Sequence, residues 1–323
     1  MRLRRRRFER HPQRQRRLSR PVISVGNLSM GGTGKSPVVA AIAQWLIDAG
    51  EQPAILSRGY ARRDVVDGVV VVSDGREILS TIDRSGDEPL MLARQVPGAI
   101  VCVSPDRHLS GRLAEQQLGA TVHILDDGFQ HLELARDLDV LVTTVGEIPN
   151  GKVIPRGRLR EPIDAAARAQ VLVVSDATAG AATSEAWALG ISQACAAVRT
   201  LGAAVAEPGA GSREHRAASS EQKVLAVAGI ANPERFVASL RDAGWNVVDS
   251  MTFADHHRYS MSDLAAIGAK MRSAGADAVF TTDKDAVRFE SLGELPFPLY
   301  RVPLLVEFEP AEALFESVRA VLK

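Results

Sequence analysis

Cysteine is almost absent from this 323-residue chain: Cys102 and Cys195 stand alone, outside any Cys-x-x-Cys or Cys/His spacing. That excludes a disulfide scaffold and a zinc site, and it fits a reducing compartment. No run of 18 apolar residues occurs, so no segment reads as a transmembrane helix. The N-terminus is basic but no apolar core follows it, so no signal peptide is expected. A net charge is lacking too, with 39 basic and 39 acidic residues. That balance hides an asymmetry. Residues 1–20 hold ten Arg and one Glu, which leaves 29 basic and 38 acidic residues for the other 303, a net of −9. An acidic body argues against nucleic-acid binding by the whole surface. With 46% hydrophobic and 24% charged residues, the composition is globular, and the length suits one large or two ordinary domains.

After the basic arm, short apolar runs alternate with helical patterns. Pro21–Val25, Ala54–Leu56, Val69–Val72, Ile100–Val103, Val122–Leu125, Val140–Thr143 and Val171–Val174 are rich in β-branched residues. Continuous apolar strands of this kind are buried on both faces, as in a parallel sheet covered by helices. Lys35–Asp48 places Val38, Ile42, Trp45 and Leu46 at helical spacing, and Glu88–Gln95 and Leu109–Leu118 read as further helices. The pattern predicts an α/β fold with a doubly wound, mostly parallel sheet of the P-loop type. Gly, Ser, Ala and charge dominate residues 207–222, which read as a linker. A second, smaller α/β domain then follows, with strands at Val224–Val227, Trp245–Val248, Ala278–Thr281 and Leu299–Phe308. Its helices read as Pro233–Ala243, Met261–Ser273 and a last one from Ala311. The expected organisation is an arm (1–20), a first domain (21–206), the linker (207–222) and a second domain (223–323). Whether the last strand and helix return to the first domain is left open.

The chemistry starts at residue 22. A strand runs into Asn27-Leu28-Ser29-Met30-Gly31-Gly32-Thr33-Gly34-Lys35-Ser36, and a helix follows with Pro37 in its first turn. Backbone N–H groups of Gly31, Gly32, Thr33, Gly34 and Lys35 can converge on phosphate oxygens, and the helix N-terminus adds partial positive charge. Lys35 suits the β/γ-phosphates and Ser36 a Mg²⁺ ion. Ser29 stands where the GxxxxGK[ST] pattern has its first glycine, and Met30 where partition-type ATPases carry Lys. A P-loop needs a carboxylate at the end of a neighbouring strand to complete the magnesium site. Val122-His-Ile-Leu-Asp126-Asp127 supplies a pair, with Gly128 allowing a tight exit. Adjacent strand residues point to opposite faces, so a glycosidase-type dyad is disfavoured.

The segments SVGNLSMGGTGKS (24–36), SRGY (57–60), GDEP (86–89), ILDDGFQH (124–131), LREP (159–162), AGIANPERF (228–236) and DHHRYS (255–260) run in this order. Together they resemble the tetraacyldisaccharide 4′-kinase family of lipid A biosynthesis, over about residues 21–310. The resemblance implies transfer of the ATP γ-phosphate to the 4′-hydroxyl of tetraacyldisaccharide 1-phosphate, giving lipid IVA. It implies Asp126, Asp127, Gln130 and Glu161 around magnesium and nucleotide, alongside Lys35 and Ser36. Asp87 is then the general base, assisted by His256, and Arg58, Tyr60, Arg107 and Arg160 hold phosphate or sugar. Family members carry an apolar N-terminal helix where this chain has MRLRRRRFERHPQRQRRLSR. Either the true start lies upstream of this one, or peripheral attachment to an anionic membrane surface, on the cytoplasmic face of the inner membrane, uses the arm alone. Two further departures are Arg156, where a small residue is commoner, and Asp283, where Glu is commoner. The resemblance implies neither a nucleic acid nor an obligate protein partner.

Without the resemblance, blander readings compete. Asp87-Glu88-Pro89 is a good helix N-terminus, and His256 and His257 fit a surface loop. Arg58 suits a surface ion pair, Tyr60 a rim, and His131 the support of a loop. At the level of the whole chain, two alternatives remain: a P-loop kinase of another sugar or nucleotide, and a regulatory P-loop ATPase. A GTPase switch needs an NKxD guanine motif. The nearest match, Thr282-Asp283-Lys284-Asp285, lies far in sequence from the loop and reads as a coincidence.

Overall fold

The structure, a computed structural model, describes residues 8, 11–60, 62–64, 66–148, 150–207 and 221–323. Most of the basic arm's first ten residues and most of the 207–222 segment thus lie outside the described residues. The chain divides into two units, residues 1–199 with 306–323, and residues 200–305.

The first unit is built on a nine-stranded sheet. In chain order its first half comprises β1 (Val22–Gly26), α1 (Lys35–Asp48), β2 (Pro53–Ser57), β3 (Val70–Asp74), α2 (Asp87–Gln95), β4 (Ile100–Val103) and α3 (Arg107–Gln117). β5 (Val122–Asp126), β6 (Leu138–Thr144), β7 (Val171–Ser175), α4 (Ala179–Leu189) and β8 (Gln193–Leu201) follow. In the second unit, β9 (Val205–Ala206), β10 (Lys223–Ala228), α5 (Pro233–Asp242), β11 (Asn246–Thr252), α6 (Met261–Ser273), β12 (Ala278–Thr282), α7 (Asp283–Phe289) and β13 (Leu299–Val302) form a five-stranded α/β layer. β14 (Leu304–Glu309) and α8 (Ala311–Val321) end the chain.

The large sheet has the order β14-β8-β7-β6-β1-β5-β2-β4-β3. β1 pairs parallel with both β5 and β6, and β3 is an antiparallel edge on β4. β1, β2, β5 and β7 are buried along their whole length. That is why their sequences are unbroken apolar runs and not alternating ones. α1 buries Val38, Val39, Ile42, Ala43 and Leu46, while Trp45 on its flank stacks on Phe315 of α8 with centroids 5.0 Å apart. β14 sits beside β8 in the large sheet, so the last strand and helix belong with the first unit. The smaller sheet runs β11-β10-β12-β13-β9, with β13 and β9 antiparallel.

Leu299–Phe308, expected as one strand, is two strands in two different sheets, broken at Pro303. α4, β8 and α7 had no counterpart in the expected element list. α4 is rich in alanine (AGAATSEAWAL), which supports a helix but leaves little apolar contrast for a periodic pattern. Residues 11–20 do not project as a free arm. Leu18 packs into the core layer with Val22 and Ala114, and Arg16 forms a two-pronged ion pair with Asp106, both bonds 2.8 Å.

Candidate active site

Parallel strands carry their loops to one edge, and the site forms where β1 ends between β5 and β6. Asn27, Leu28 and Ser29 are buried, then Met30, Gly31 and Gly32 rise to the surface. Asn27 Nδ2 donates to Thr33 Oγ1 at 3.0 Å, and Ser175 Oγ, at the end of β7, donates to the Thr33 carbonyl at 2.9 Å. The outer side of the loop is clamped by Arg158. Its Nε and Nη2 donate to the Met30 carbonyl at 3.1 and 2.7 Å, and its own carbonyl accepts from Met30 N–H at 2.8 Å. Gly34, the residue before α1, has φ 89°, a left-handed turn that glycine adopts without strain. No side chain caps α1, so its first N–H groups are not taken up by a capping side chain.

Lys35 opens α1 and reaches Asp127, Nζ to Oδ1 3.6 Å; Ser36 is the next residue of the helix. Arg160 Nη1 donates to both oxygens of Asp127, at 3.0 and 2.8 Å, and to Gln130 Oε1 at 3.2 Å. Gln130 Nε2 in turn donates to the Asn27 carbonyl at 2.8 Å. The structure thus joins Lys35, Asp127, Gln130 and Arg160 into one network at the base of the loop. Asp126 is the last residue of β5, and Ser57 Oγ donates to its Oδ2 at 3.3 Å. Asp127 has φ 53°, so it has left the strand geometry. The strand alternation expected to send the two acids to opposite faces no longer applies, and Lys35 bears electrostatically on both.

Their electrostatics differ. Burial, then the Glu88 and Asp127 carboxylates, push Asp126 up to about 7 against the pull of Lys35. Burial raises Asp127 as well, but Lys35 and Arg160 outweigh it and hold its carboxyl below the ordinary value. Arg107 is buried at the start of α3, with Nη1 3.3 Å from the Pro105 carbonyl and 3.4 Å from His131 Nδ1. Its buried Nε meets no acceptor. Burial, then Arg58, lower its pKa from the usual arginine value, while Asp126 and Asp127 oppose them. Arg58, Arg107 and the two aspartates therefore share one electrostatic neighbourhood.

The other expected residues are placed as follows. Asp87 begins α2 and is buried, its Oδ1 accepting the Glu88 N–H at 2.9 Å. Tyr60 is exposed. Glu161 is buried and faces Arg168, Nη2 to Oε1 3.2 Å, while Arg168 lies over the Phe129 ring at 4.5 Å. Glu161 thus faces Arg168, while Asp127 faces Arg160 and Lys35. His256 belongs to the second unit and has φ 60°. Arg158, Ser57, Ser175 and Glu88 were missed as site residues. Ser57 and Glu88 lie inside the quoted motif segments and Arg158 directly precedes one, but nothing in one sequence marks Ser175.

The sequence model of the family LpxK, described as tetraacyldisaccharide-1-P 4′-kinase, matches residues 1–323. The tetraacyldisaccharide 4′-kinase of Geobacter metallireducens is 42% identical over 277 residues, covering 85% of this chain and 80% of that protein. That of Geobacter sulfurreducens is 39% identical over 308 residues, covering 94% and 85%. Among solved structures, the apo form of LpxK from Aquifex aeolicus in complex with ATP superimposes with a TM-score of 0.78 at 27% identity, covering 99% of this chain and 94% of that one. Matched by that family model along its whole length and by relatives at about 40% identity, the chain belongs to the tetraacyldisaccharide-1-phosphate 4′-kinase family.

Proposed function

We infer that this protein transfers the γ-phosphoryl group of ATP to the 4′-hydroxyl of tetraacyldisaccharide 1-phosphate, forming lipid IVA. One observation carries the reading: a helix N-terminus after a left-handed glycine presents Lys35 3.6 Å from Asp127, the carboxylate that follows the neighbouring parallel strand. A triphosphate seated on Gly31–Lys35 meets backbone donors, and Lys35 neutralises charge on its outer phosphates. The described residues hold no cluster of three His, Cys, Asp or Glu side chains able to cage a metal. Mg²⁺ is ordinarily bound by one or two carboxylates completed by substrate phosphates and water, and the oxygen donors of Ser36, Asp126 and Asp127 fit it. Bound there, Mg²⁺ would neutralise charge developing on the transferred group.

Asp87 is the proposed base for the acceptor hydroxyl, with His256 assisting. Arg107, with a buried Nε that meets no protein acceptor, and Arg58 suit a phosphate of the acceptor, since guanidinium groups bind phosphate through paired donors. Tyr60, two residues after Arg58, is exposed and suits the sugar. Arg160 and Gln130 act one step back, by holding Asp127 and the loop. Because the acceptor is acylated, the enzyme works at a membrane. No helix among the described residues is long and apolar enough to cross one, so we place it peripherally on the cytoplasmic face, attached through the basic arm.

The direct test is incubation with radiolabelled ATP and Mg²⁺ and either the tetraacyl disaccharide 1-phosphate, soluble sugars or no acceptor. Label in the lipid alone is the expected result. Label in a soluble sugar, or ATP hydrolysis indifferent to acceptor, would refute the assignment.

A further inference from the structure

Thr282-Asp283-Lys284-Asp285 was left without a role by the nucleotide site. In the second unit this segment closes β12 and opens α7, and each of its residues is engaged. Thr282 caps the helix: its hydroxyl oxygen accepts the Asp285 N–H at 3.1 Å and its O–H donates to Asp285 Oδ2 at 2.7 Å. Asp283 accepts from Arg301 Nη1 at 2.7 Å. Asp285 is fully buried. Besides the Thr282 hydroxyl it accepts from the Gly229 N–H at 3.0 Å, the Tyr259 hydroxyl at 3.1 Å and Arg288 Nη1 at 2.9 Å. A buried carboxylate with that many donors is a fixed point in the fold.

One of these donors, Arg288, leads on to an imidazole. Arg288 is itself buried, its Nη1 also donating to the Gly229 carbonyl at 2.7 Å, and its Nη2 lies 3.5 Å from His256 Nδ1. On the other side of the ring, Lys284 Nζ lies 3.4 Å from His256 Nε2 and 3.9 Å from Asp255 Oδ1. Asp255 completes the enclosure, with Oδ1 accepting the His256 N–H at 3.0 Å and Oδ2 3.9 Å from Nε2. The His256 backbone sits at φ 60°, a left-handed conformation that is uncommon for a non-glycine residue. A solvated loop histidine has no need of a left-handed backbone and a cation at each ring nitrogen.

We propose that Lys284 and Arg288, the latter anchored on Asp285, are positioning residues that fix the plane of the His256 ring for its part in phosphoryl transfer. The proposal rests on the reading of His256 as the assistant of the base. Arg288 and Lys284 are donors only, and a neutral imidazole has one acceptor nitrogen, so one of the two donates to the ring, as its tautomer decides, and the other borders its remaining nitrogen. One of them, Arg288, is held from behind by a carboxylate that cannot move. The segment that resembles a guanine motif is thereby a histidine holder.

The test uses the full chain and two readouts. Lys284→Met removes the cation with little change in shape, and Lys284→Arg restores it. In Lys284→Met, kcat should fall about tenfold with the KM for ATP within about twofold, and the arginine variant should recover most of the loss. In a His256→Ala background the same substitution should cost less than about twofold, because residues acting as a unit are not additive. A full tenfold loss in that background would overturn the proposal, since Lys284 would then act on substrate independently. The second readout is the ¹⁵N chemical shift of the His256 ring, expected to move in both Lys284→Met and Arg288→Lys. If His256→Ala alone retains full activity, the catalytic reading of His256 fails, and the shifts still decide whether the holder exists. Unmoved shifts in both variants would sink it.

Discussion

At the scale of single residues, the nucleotide site stands on charges of opposite sign packed within a few ångströms. Lys35→Ala removes the ammonium from both aspartates and from the phosphates. Turnover should fall about a hundredfold or more, since electrostatic stabilisation is the main contribution in phosphoryl transfer. Near-normal turnover in a steady-state assay would contradict the loop's role. Asp126 offers a test that needs no substrate. Burial and the Glu88 and Asp127 carboxylates raise it from 3.8 to about 7 in the native state. A carboxyl with a raised native pKa binds its proton more tightly when folded, so its contribution favours the native state below 3.8 and fades as pH rises through 7. Asp126→Asn removes that dependence. Without nucleotide, the variant should melt above the parent by about 3 °C or more at pH 8, with a smaller gap at pH 5. Calorimetry at the two pH values checks it, and an equal gap at both would refute the linkage.

At the scale of elements, α3 shows how a helix end and the basic segment share one side chain. Asp106 accepts from the His108 and Leu109 N–H groups and also holds Arg16. Removing an N-cap costs about 1 kcal/mol, whereas an exposed ion pair contributes well under that. The Arg16 and Asp106 side chains are both about two-fifths exposed, at 43% and 41%. Asp106→Ala should therefore destabilise the protein by about 1 kcal/mol or more and Arg16→Ala by a few tenths. Denaturant titration separates the two, and equal losses would show the ion pair, not the cap, to be the stabilising contact. The same element carries Arg107 at its first position, so loosening the cap should also raise the KM for the lipid acceptor.

At the scale of the whole molecule, residues 1–20 divide into two parts with different expected roles. Leu18 lies in the core layer beside Ala114, filling the space that a side chain at Gly111 would need. Arg16 and Arg20 are tied to Asp106 and Glu115. Deleting residues 2–10 should lower binding to vesicles containing anionic lipid without moving the melting temperature. That binding should weaken steeply with salt, at about 1 kcal/mol per basic residue near the surface. Extending the deletion to residue 20 should add a loss of stability. Vesicle binding that survives both the shorter deletion and high salt would place attachment elsewhere on the protein.

Much of this molecule was legible in the chain itself. β1, β2, β5 and β7 are buried on both faces, so their residues had to be continuous and apolar, and the strand–glycine loop–helix order at 22–48 reads directly as a phosphate site. Motif spacing also singled out Lys35, Asp126 and Asp127 before any contact was known, and the family resemblance added Arg160 as a residue for phosphate or sugar. What one dimension withheld were long-range decisions. Whether Leu299–Phe308 is one strand or two depends on β14 finding an edge beside β8 in the other sheet, and no local signal carries that. Ser175 and Arg158 reach the loop across 142 and 128 residues of chain, and Ser57 reaches Asp126 across 69, so only folding makes them neighbours. Asp126 and Asp127 are adjacent in sequence, yet opposite pKa shifts separate them, because Arg160 and Lys35 converge on one and Glu88 presses on the other. Residue types and spacing determined which chemistry was present. The fold decided which groups share a charge, since proximity across the sheet edge is set by strand order.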